Sequence, residues 1–292
     1  PTLGGGGPAL IRLQSTYVVD YPEKLASLRL GDSINQGGTW GLPVVFGGIQ
    51  YGTNFGTQPG FIRTPTALSA GGQAALPSTI DVFVNNALVS RQTVPPGPFS
   101  ITNIPIVSGA GEARLVVRDL LGREQVITQP FYGTATLLKE ALVDYSYELR
   151  ARLENFGVTS SQYGKGLAAV TYRKGLTDSF TGELHGELTG ERAAIGVSSL
   201  YRLARLGVVN ATLAGSQSSR GTGHLLAYGF ERQGREFSFS LHTQLAGSEF
   251  SQIGLAPGQA PRRRQDVANI GFPMGKLGSI SFARVSQKAD DQ

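Results

Sequence analysis

Three residues come closest to a chemical motif: Glu183, His185 and Glu187, two apart along T-G-E-L-H-G-E. Carboxylate, imidazole and carboxylate in that order could hold a metal or serve as an acid–base group. In a strand, side chains two apart share a face but step along it by about 7 Å. One metal could not collect all three without help from a neighbouring element. A polar strand face accounts for the same residues more simply. Serines are many, yet no G-x-S-x-G elbow is present to arm one. The glycine run Gly4–Gly7 does not lead from a strand into a helix, so a phosphate cradle is not expected. The chain has no cysteine, which removes disulfides and thiolate chemistry. The expectation is no catalytic, cofactor-binding or metal site, and no enzyme.

The elements that carry these residues are strands. Phe180, Leu184 and Leu188 share one face with Gly182 and Gly186, and Thr181, Glu183, His185 and Glu187 share the other. From Leu142 to Leu153, Val143, Tyr145, Tyr147, Leu149, Ala151 and Leu153 alternate with Asp144, Ser146, Glu148, Arg150 and Arg152. Runs at Gly166–Lys174, Ala193–Leu203, Val208–Gln217, His224–Arg232, Glu236–Leu245, Val267–Phe272 and Ser279–Gln287 behave alike. This is the period-two signature of strands with one apolar and one polar face. At about 9–11 residues each, they suit tilted strands of a transmembrane barrel. A sheet in lipid must close on itself, since every backbone group must pair. A soluble β-sandwich also alternates, but its strands are usually about 5–6 residues long. Tyr145, Tyr147, Tyr172, Tyr201 and Tyr228 recur on the apolar side, as an interfacial girdle would have them. Short turns at Gly175–Ser179, Ala204–Leu206, Gln233–Arg235 and Pro273–Gly278 alternate with mostly longer connections, above all Ala246–Asp266; Thr189–Arg192 is the short exception. Outer-membrane barrels keep short turns inside and long loops outside. On that rule Gly175–Asp178 and Lys276–Gly278 belong to the periplasmic rim, and Ala246–Asp266 to the exterior.

The rest of the composition agrees. Forty glycines in 292 residues is about twice the usual share of ~7 %, which suits turns and strands rather than helices. No apolar run approaches a membrane-spanning helix of about 20 residues. The net charge of +5 is mild, and no Lys/Arg cluster is interleaved with aromatics, so nucleic-acid binding is not expected. Arg262-Arg263-Arg264 reads as a solvated Pro/Gly-rich loop. The chain begins without Met or a signal peptide and is expected to be a fragment cut at both ends.

Residues 77–132 break the long-strand pattern. Ile80, Val82 and Val84 alternate with Asp81 and Phe83, Asn85-Asn86 makes a tight turn, and Leu88–Val94 follows. Val94-Pro95-Pro96-Gly97-Pro98-Phe99 must interrupt or turn the sheet, because proline cannot donate to a ladder. Ala113–Arg118 and Gln125–Phe131 follow, joined by Leu120-Leu121-Gly122-Arg123. These runs predict a small β-sandwich. Residues 54–75, rich in Gly, Pro, Thr and Ser, read as the linker into it. The expected organisation is barrel strands and linker at 1–76, a sandwich at 77–132, and barrel strands at 133–292. Upstream strands are expected at Ala9–Val19, Leu25–Leu30 and Val44–Tyr51.

The motif V-P-P-G-P-F, then I-x-N-I-P, then G-x-G-E-x-x-L-V-V-R-D-x-L-G-R-E-Q-V-x-T-Q-P-F-Y, resembles the plug domain of fimbrial ushers. Leu28–Asp32, Phe46–Phe55 and Tyr172–Asp178 are similar to the same family, in the same order. The resemblance implies an all-β fold: part of a transmembrane antiparallel barrel with a plug sandwich inserted. It implies an outer-membrane channel of a Gram-negative bacterium that secretes and assembles pilus subunits. The implied partners are chaperone–subunit complexes, pilus subunits and outer-membrane lipid. Asp144, Glu148, Arg150, Arg152, Glu183 and Glu187 would then face the lumen and give a plug or a passing subunit a non-adhesive wall. The resemblance implies an usher barrel of about two dozen strands, against about a dozen expected here, and the family's N- and C-terminal periplasmic domains are expected to lie outside this sequence. The competing expectations are a porin or plugged transporter for small solutes, and a soluble multi-sandwich adhesin.

Overall fold

In the computed structural model, residues 14–288 are described except 35–36, 43, 59–60, 62–67, 105–108, 134–135, 154–162, 235, 256–260 and 275–277. Nearly all of the regular structure is strand. In chain order, β1 (Thr16–Tyr21), β2 (Ala26–Ile34) and β3 (Val45–Thr53) are followed by β4 (Leu68–Ala74), β5 (Ser78–Val84), β6 (Ala87–Val94), β7 (Gly97–Ile104), β8 (Gly109–Asp119) and β9 (Glu124–Gly133). Then come β10 (Val143–Leu153), β11 (Tyr163–Thr177), β12 (Phe180–Thr189), β13 (Arg192–Leu203), β14 (Gly207–Ser218), β15 (Gly221–Gln233), β16 (Ser238–Ala246), β17 (Arg264–Pro273) and β18 (Ser279–Lys288).

Twelve strands form one antiparallel sheet in the order β1-β2-β3-β10-β11-β12-β13-β14-β15-β16-β17-β18. Strands β3 and β10 are hydrogen-bonded neighbours, with Tyr51 opposite Tyr147 and Ile49 opposite Leu149. The six strands β4–β9 are therefore inserted between two adjacent strands of the long sheet. The chain leaves after Thr53 and returns at Val143, at the same end of the sheet as the Asp178-Ser179 and Ala204–Leu206 turns.

The inserted unit has two sheets, β4-β7 and β6-β5-β8-β9. Both contribute to one apolar core of Ala70, Ile80, Val82, Val84, Ile101, Ile104, Ala113, Leu115, Val117 and Phe131. Strand β5 shows why: its burial alternates strictly, with Ser78, Ile80, Val82 and Val84 inside. Asn85 and Asn86 take φ of 50° and 68°, the left-handed pair that a two-residue hairpin demands. At Pro95-Pro96 the chain stops pairing in the four-stranded sheet and crosses to the other. Pro98 is accommodated in β7, opposite Gln73, in a sheet of only two strands.

Two features of this unit differ from the sequence expectation. Residues 68–74, expected to be linker, form β4, and Ala70 enters the core. The sequence L-S-A-G-G-Q-A has too few apolar residues to signal a strand, and only pairing with β7 makes it one. Of Val94–Phe99, expected to interrupt or turn the sheet, Gly97–Phe99 already belong to β7; the break is confined to Pro95-Pro96. In the long sheet, β1 starts at Thr16 rather than Ala9, and residues 9–13 lie outside the described residues.

Candidate functional site

The long sheet has two unlike faces. Register places Leu184, Val197, Leu213 and Leu226 in one cross-strand row, and all four side chains are exposed, from 38 % to 60 %. The adjacent row is Glu183, Ser198, Thr212 and Ala227, and each is at most 6 % exposed. Alternation along each strand sends successive residues to opposite faces, so the sheet buries its polar side and presents its apolar side outward. Every second residue of β12 follows this rule: Thr181, Glu183, His185 and Glu187 are buried, while Leu184 and Leu188 are exposed.

Among the described residues, three chain segments lie over the polar face. The first is the β2–β3 connection. Thr39 donates its backbone N–H to Glu183 Oε1 at 2.6 Å and its hydroxyl to Oε2 at 2.9 Å. The Trp40 ring stands edge-on to His185, with centroids 4.9 Å apart. Two glycines make this approach possible. Gly38 has φ +61°, and a Cβ there would lie 2.7 Å from Glu183 Oε1. A Cβ on Gly196 would lie 2.6 Å from Trp40 Nε1.

The second is the β16–β17 connection. Ile253 donates its N–H to Glu187 Oε2 at 2.6 Å, Ser251 donates to Ser216 Oγ at 2.8 Å, and Phe250 is fully buried 6.1 Å from Trp40. Within the stretch expected to lie at the exterior, residues 250–253 lie against the inner face, where the carboxylate and hydroxyl satisfy their backbone donors. Strand β17 also starts earlier than expected, at Arg264. The third segment is the return from β9. Leu138 donates its N–H to Thr181 Oγ1 at 2.9 Å, and Leu137 packs with Leu200 and Val208.

The predicted inner residues form two polar groups. In one, Arg173 lies between Asp144 (3.5 Å) and Glu183 (3.1 Å). It borders a recess of about 340 Å³ lined by Gly37, Thr39, Ser146 and Thr171 among others. In the other, Glu148 accepts from Gln50 and Ser146, both at 2.8 Å, and is ion-paired with Arg150. The Arg150 guanidinium lies 4.2 Å over the Phe46 ring. The side chain of Arg152 lies outside the described residues, although its backbone pairs with Phe46. The motif residues Val94, Pro95, Pro96, Gly97, Pro98 and Phe99 stand apart, at the sheet crossing in the inserted unit.

Sequence reasoning did not find Thr39, Trp40, Phe250 or Ile253, since nothing local marks a loop that folds inward. Glu183, His185 and Glu187 are each engaged separately: Glu183 by Thr39 and Arg173, His185 Nδ1 by Thr171 Oγ1 at 2.8 Å, and Glu187 by Ile253 and by His185 Nε2 at 3.2 Å. No group of three or more metal-ligating side chains gathers among the described residues. The tyrosines expected as a girdle lie on the outer side, where Tyr145 packs between Tyr51 and Tyr147, with centroids 6.0 and 5.5 Å away.

Comparison with known proteins adds the family. The model of the outer membrane usher protein matches residues 25–257. The F1 capsule-anchoring protein of Yersinia pestis is 26 % identical over 151 residues, covering 51 % of this chain and 18 % of that protein. The Escherichia coli outer membrane usher protein AfaC is 31 % identical over 149 residues, covering 48 % and 16 %. The chain thus spans less than a fifth of these relatives' lengths. Among solved structures, a chain of the E. coli P pilus tip assembly intermediate PapC-PapD-PapK-PapG superposes with a TM-score of 0.66 at 14 % identity, over 95 % of this chain and 36 % of that one. The P pilus usher (PapC) translocation pore superposes with a TM-score of 0.51 at 12 % identity, over 95 % and 65 %. These structural likenesses speak for the fold; the family model, matched over 233 residues, decides membership. The chain belongs to the outer membrane usher proteins.

Proposed function

We propose that the chain is part of an outer-membrane channel that secretes and assembles pilus subunits, with β4–β9 as its plug. The outer membrane of a Gram-negative cell is the home of this family, and its members are secretion channels rather than enzymes. The observation that carries the proposal is the inverted sheet: buried Glu183 and Glu187 alternate with exposed Leu184 and Leu188. A water-filled lumen on one side and lipid on the other require that arrangement. In this reading, the twelve-stranded sheet is one arc of a barrel that closes with strands from the rest of the protein.

The plug reading rests on connectivity. A β-sandwich with its own apolar core is spliced between paired strands β3 and β10, so it can act as a unit without breaking the wall. Its β8 approaches β15, five strands beyond β10 in the sheet order, which suits a body lying across the concave side. The plug would extend over 68–133, including β4. Asp144, Glu148, Arg150, Arg152, Glu183 and Glu187 would line the lumen and offer a passing subunit no apolar grip. The partners follow from the family and from the assembly named above: pilus subunits, delivered by a periplasmic chaperone. A pore for small solutes is less favoured, because the family match is to ushers.

The experiment is conductance of the full-length parent in planar bilayers, with and without residues 68–133. Deletion is expected to turn a nearly silent protein into an open, high-conductance pore. Unchanged conductance would remove the plug reading.

A further inference from the structure

The outer face of the long sheet is not uniform. At the long-loop end of β10–β13 its outward residues include Leu149, Leu188 and Ile195, all well exposed. At the same end of β17 and β18 they change character. Register places Leu245, Arg264 and Lys288 in one row, Thr243, Asp266 and Ser286 in the next, and Leu241, Ala268 and Arg284 in the third. All three cations are exposed. Below them the same two strands return to Ile270, Phe272, Phe282 and Ile280. The change therefore falls within a single pair of strands, in the direction of the exterior.

Two of the cations share one carboxylate. Asp266 accepts from Arg264 Nε at 2.7 Å and from Thr243 Oγ1 at 2.9 Å, and it also feels the charge of Arg284 from the adjoining strand. It holds Arg264 and orients the pair, but it cannot neutralise Arg284 and Lys288 as well. A cation on a lipid-facing surface is costly at the bilayer midplane and tolerated near the interface. There, long basic side chains extend their charged ends toward the headgroups. Arg284 is four residues, about 13 Å of strand, from Lys288, close enough to reach upward along the sheet.

We propose that Arg264, Arg284 and Lys288 form a binding site for a phosphate group of an outer-leaflet glycolipid, with Asp266 as the positioning residue for Arg264. Fork-shaped guanidinium groups match phosphate oxygens, and the apolar residues below would meet the acyl chains of the same molecule. The site rests on the membrane reading above, since without lipid at this face it has no ligand.

The test uses the full-length parent, delipidated in detergent, and native mass spectrometry with diphosphoryl lipid A as the probe. The triple variant Arg264→Gln/Arg284→Gln/Lys288→Gln should bind lipid A on the order of 100-fold more weakly. The single variants Arg284→Gln and Lys288→Gln should each lose on the order of fivefold, and they keep the test decisive if the triple variant fails to fold. A control with the same charge loss in the inserted unit, Arg91→Gln/Arg118→Gln/Arg123→Gln, should bind as wild type. Excess inorganic phosphate should not displace the lipid. Equal binding by wild type and both single variants would overturn the site, and displacement by inorganic phosphate would reduce it to an adventitious ion only. A parent that fractionates away from the outer membrane would instead refute the membrane reading itself.

Discussion

The inserted unit and the long sheet are made from the same kind of residue alternation, with opposite sides turned inward. In β5, Ile80 and Val82 are wholly buried while Asp81 pairs with Arg91 at the surface. In β12, Leu184 and Leu188 are exposed while Glu183 and Glu187 are buried. Water sorts the first unit in the usual way, because burying apolar area is the main driving force there. On the proposed membrane reading the second obeys the same rule with a different solvent: lipid would take the apolar side chains, and a polar interior would keep the rest. Alternation alone thus fixes strands, and what lies on each side of the sheet fixes which face is inner.

The largest effects should come from substitutions that mean opposite things in the two regions. Leu115 is completely buried in the inserted unit, so Leu115→Ala should cost about 2–5 kcal/mol. Hydrogen exchange of the β8 amides in the full-length parent reads that loss. Leu213→Ala on the long sheet, where the side chain is 60 % exposed in the chain itself, leaves no cavity and should cost clearly less. Leu213→Arg should reverse the order of harm, at about 2–4 kcal/mol near the bilayer midplane, seen as a lower unfolding midpoint in lipid. If Leu213→Arg were neutral, the outward side would be water.

Next come the clips on the inner face. Glu187→Ala removes the acceptor of the Ile253 N–H and leaves a buried donor unpaired, a cost of about 1–3 kcal/mol. Faster amide exchange at 250–253, with the β5 amides unchanged, is the expected signature. Smaller again, Asn86→Ala keeps a Cβ at φ 68° but removes the side-chain amide whose local hydrogen bonding makes that conformation tolerable; it should cost about 1 kcal/mol, confined to the inserted unit.

The smallest effect is a pH dependence. The hydrogen bond and charge of Arg91 hold the Asp81 carboxyl below its usual 3.8. A lowered carboxylate stabilises the fold above 3.8 and loses that contribution as pH falls through its folded value. The pair is solvent-exposed, so the change is slight. It should vanish in Arg91→Gln, as read by an NMR titration of the Asp81 carboxyl.

Strand positions and faces of β10–β18 were legible because period-two alternation over about ten residues is a strong signal. So was the Asn85-Asn86 turn, whose residue types tolerate positive φ. Strand β4 was not, because Leu68–Ala74 has two glycines and little apolar content, and its strand character comes from pairing with β7 some 30 residues away in sequence. The inward folds around Trp40 and Phe250 were hidden for a related reason. Both depend on buried acceptors, Glu183 and Glu187, more than 60 residues from their donors. At the candidate site, alternation put Glu148, Arg150, Glu183 and Glu187 on the polar faces of their strands, and all four are buried, but it gave no sign of the segments lying over them.

The most direct test of the inverted sheet is an accessibility scan along β12–β14 in the reconstituted full-length parent. This chain contains no cysteine, so single cysteines can be placed and spin-labelled at positions 184, 195, 197 and 213, and at 198, 212 and 214. Collision rates with oxygen, which concentrates in lipid, and with a water-soluble nickel chelate are then compared. The expected result is strict alternation: the first set relaxed by oxygen, the second shielded from it. Oxygen-accessible labels at 198 and 212, with 184 and 213 shielded, would contradict the account.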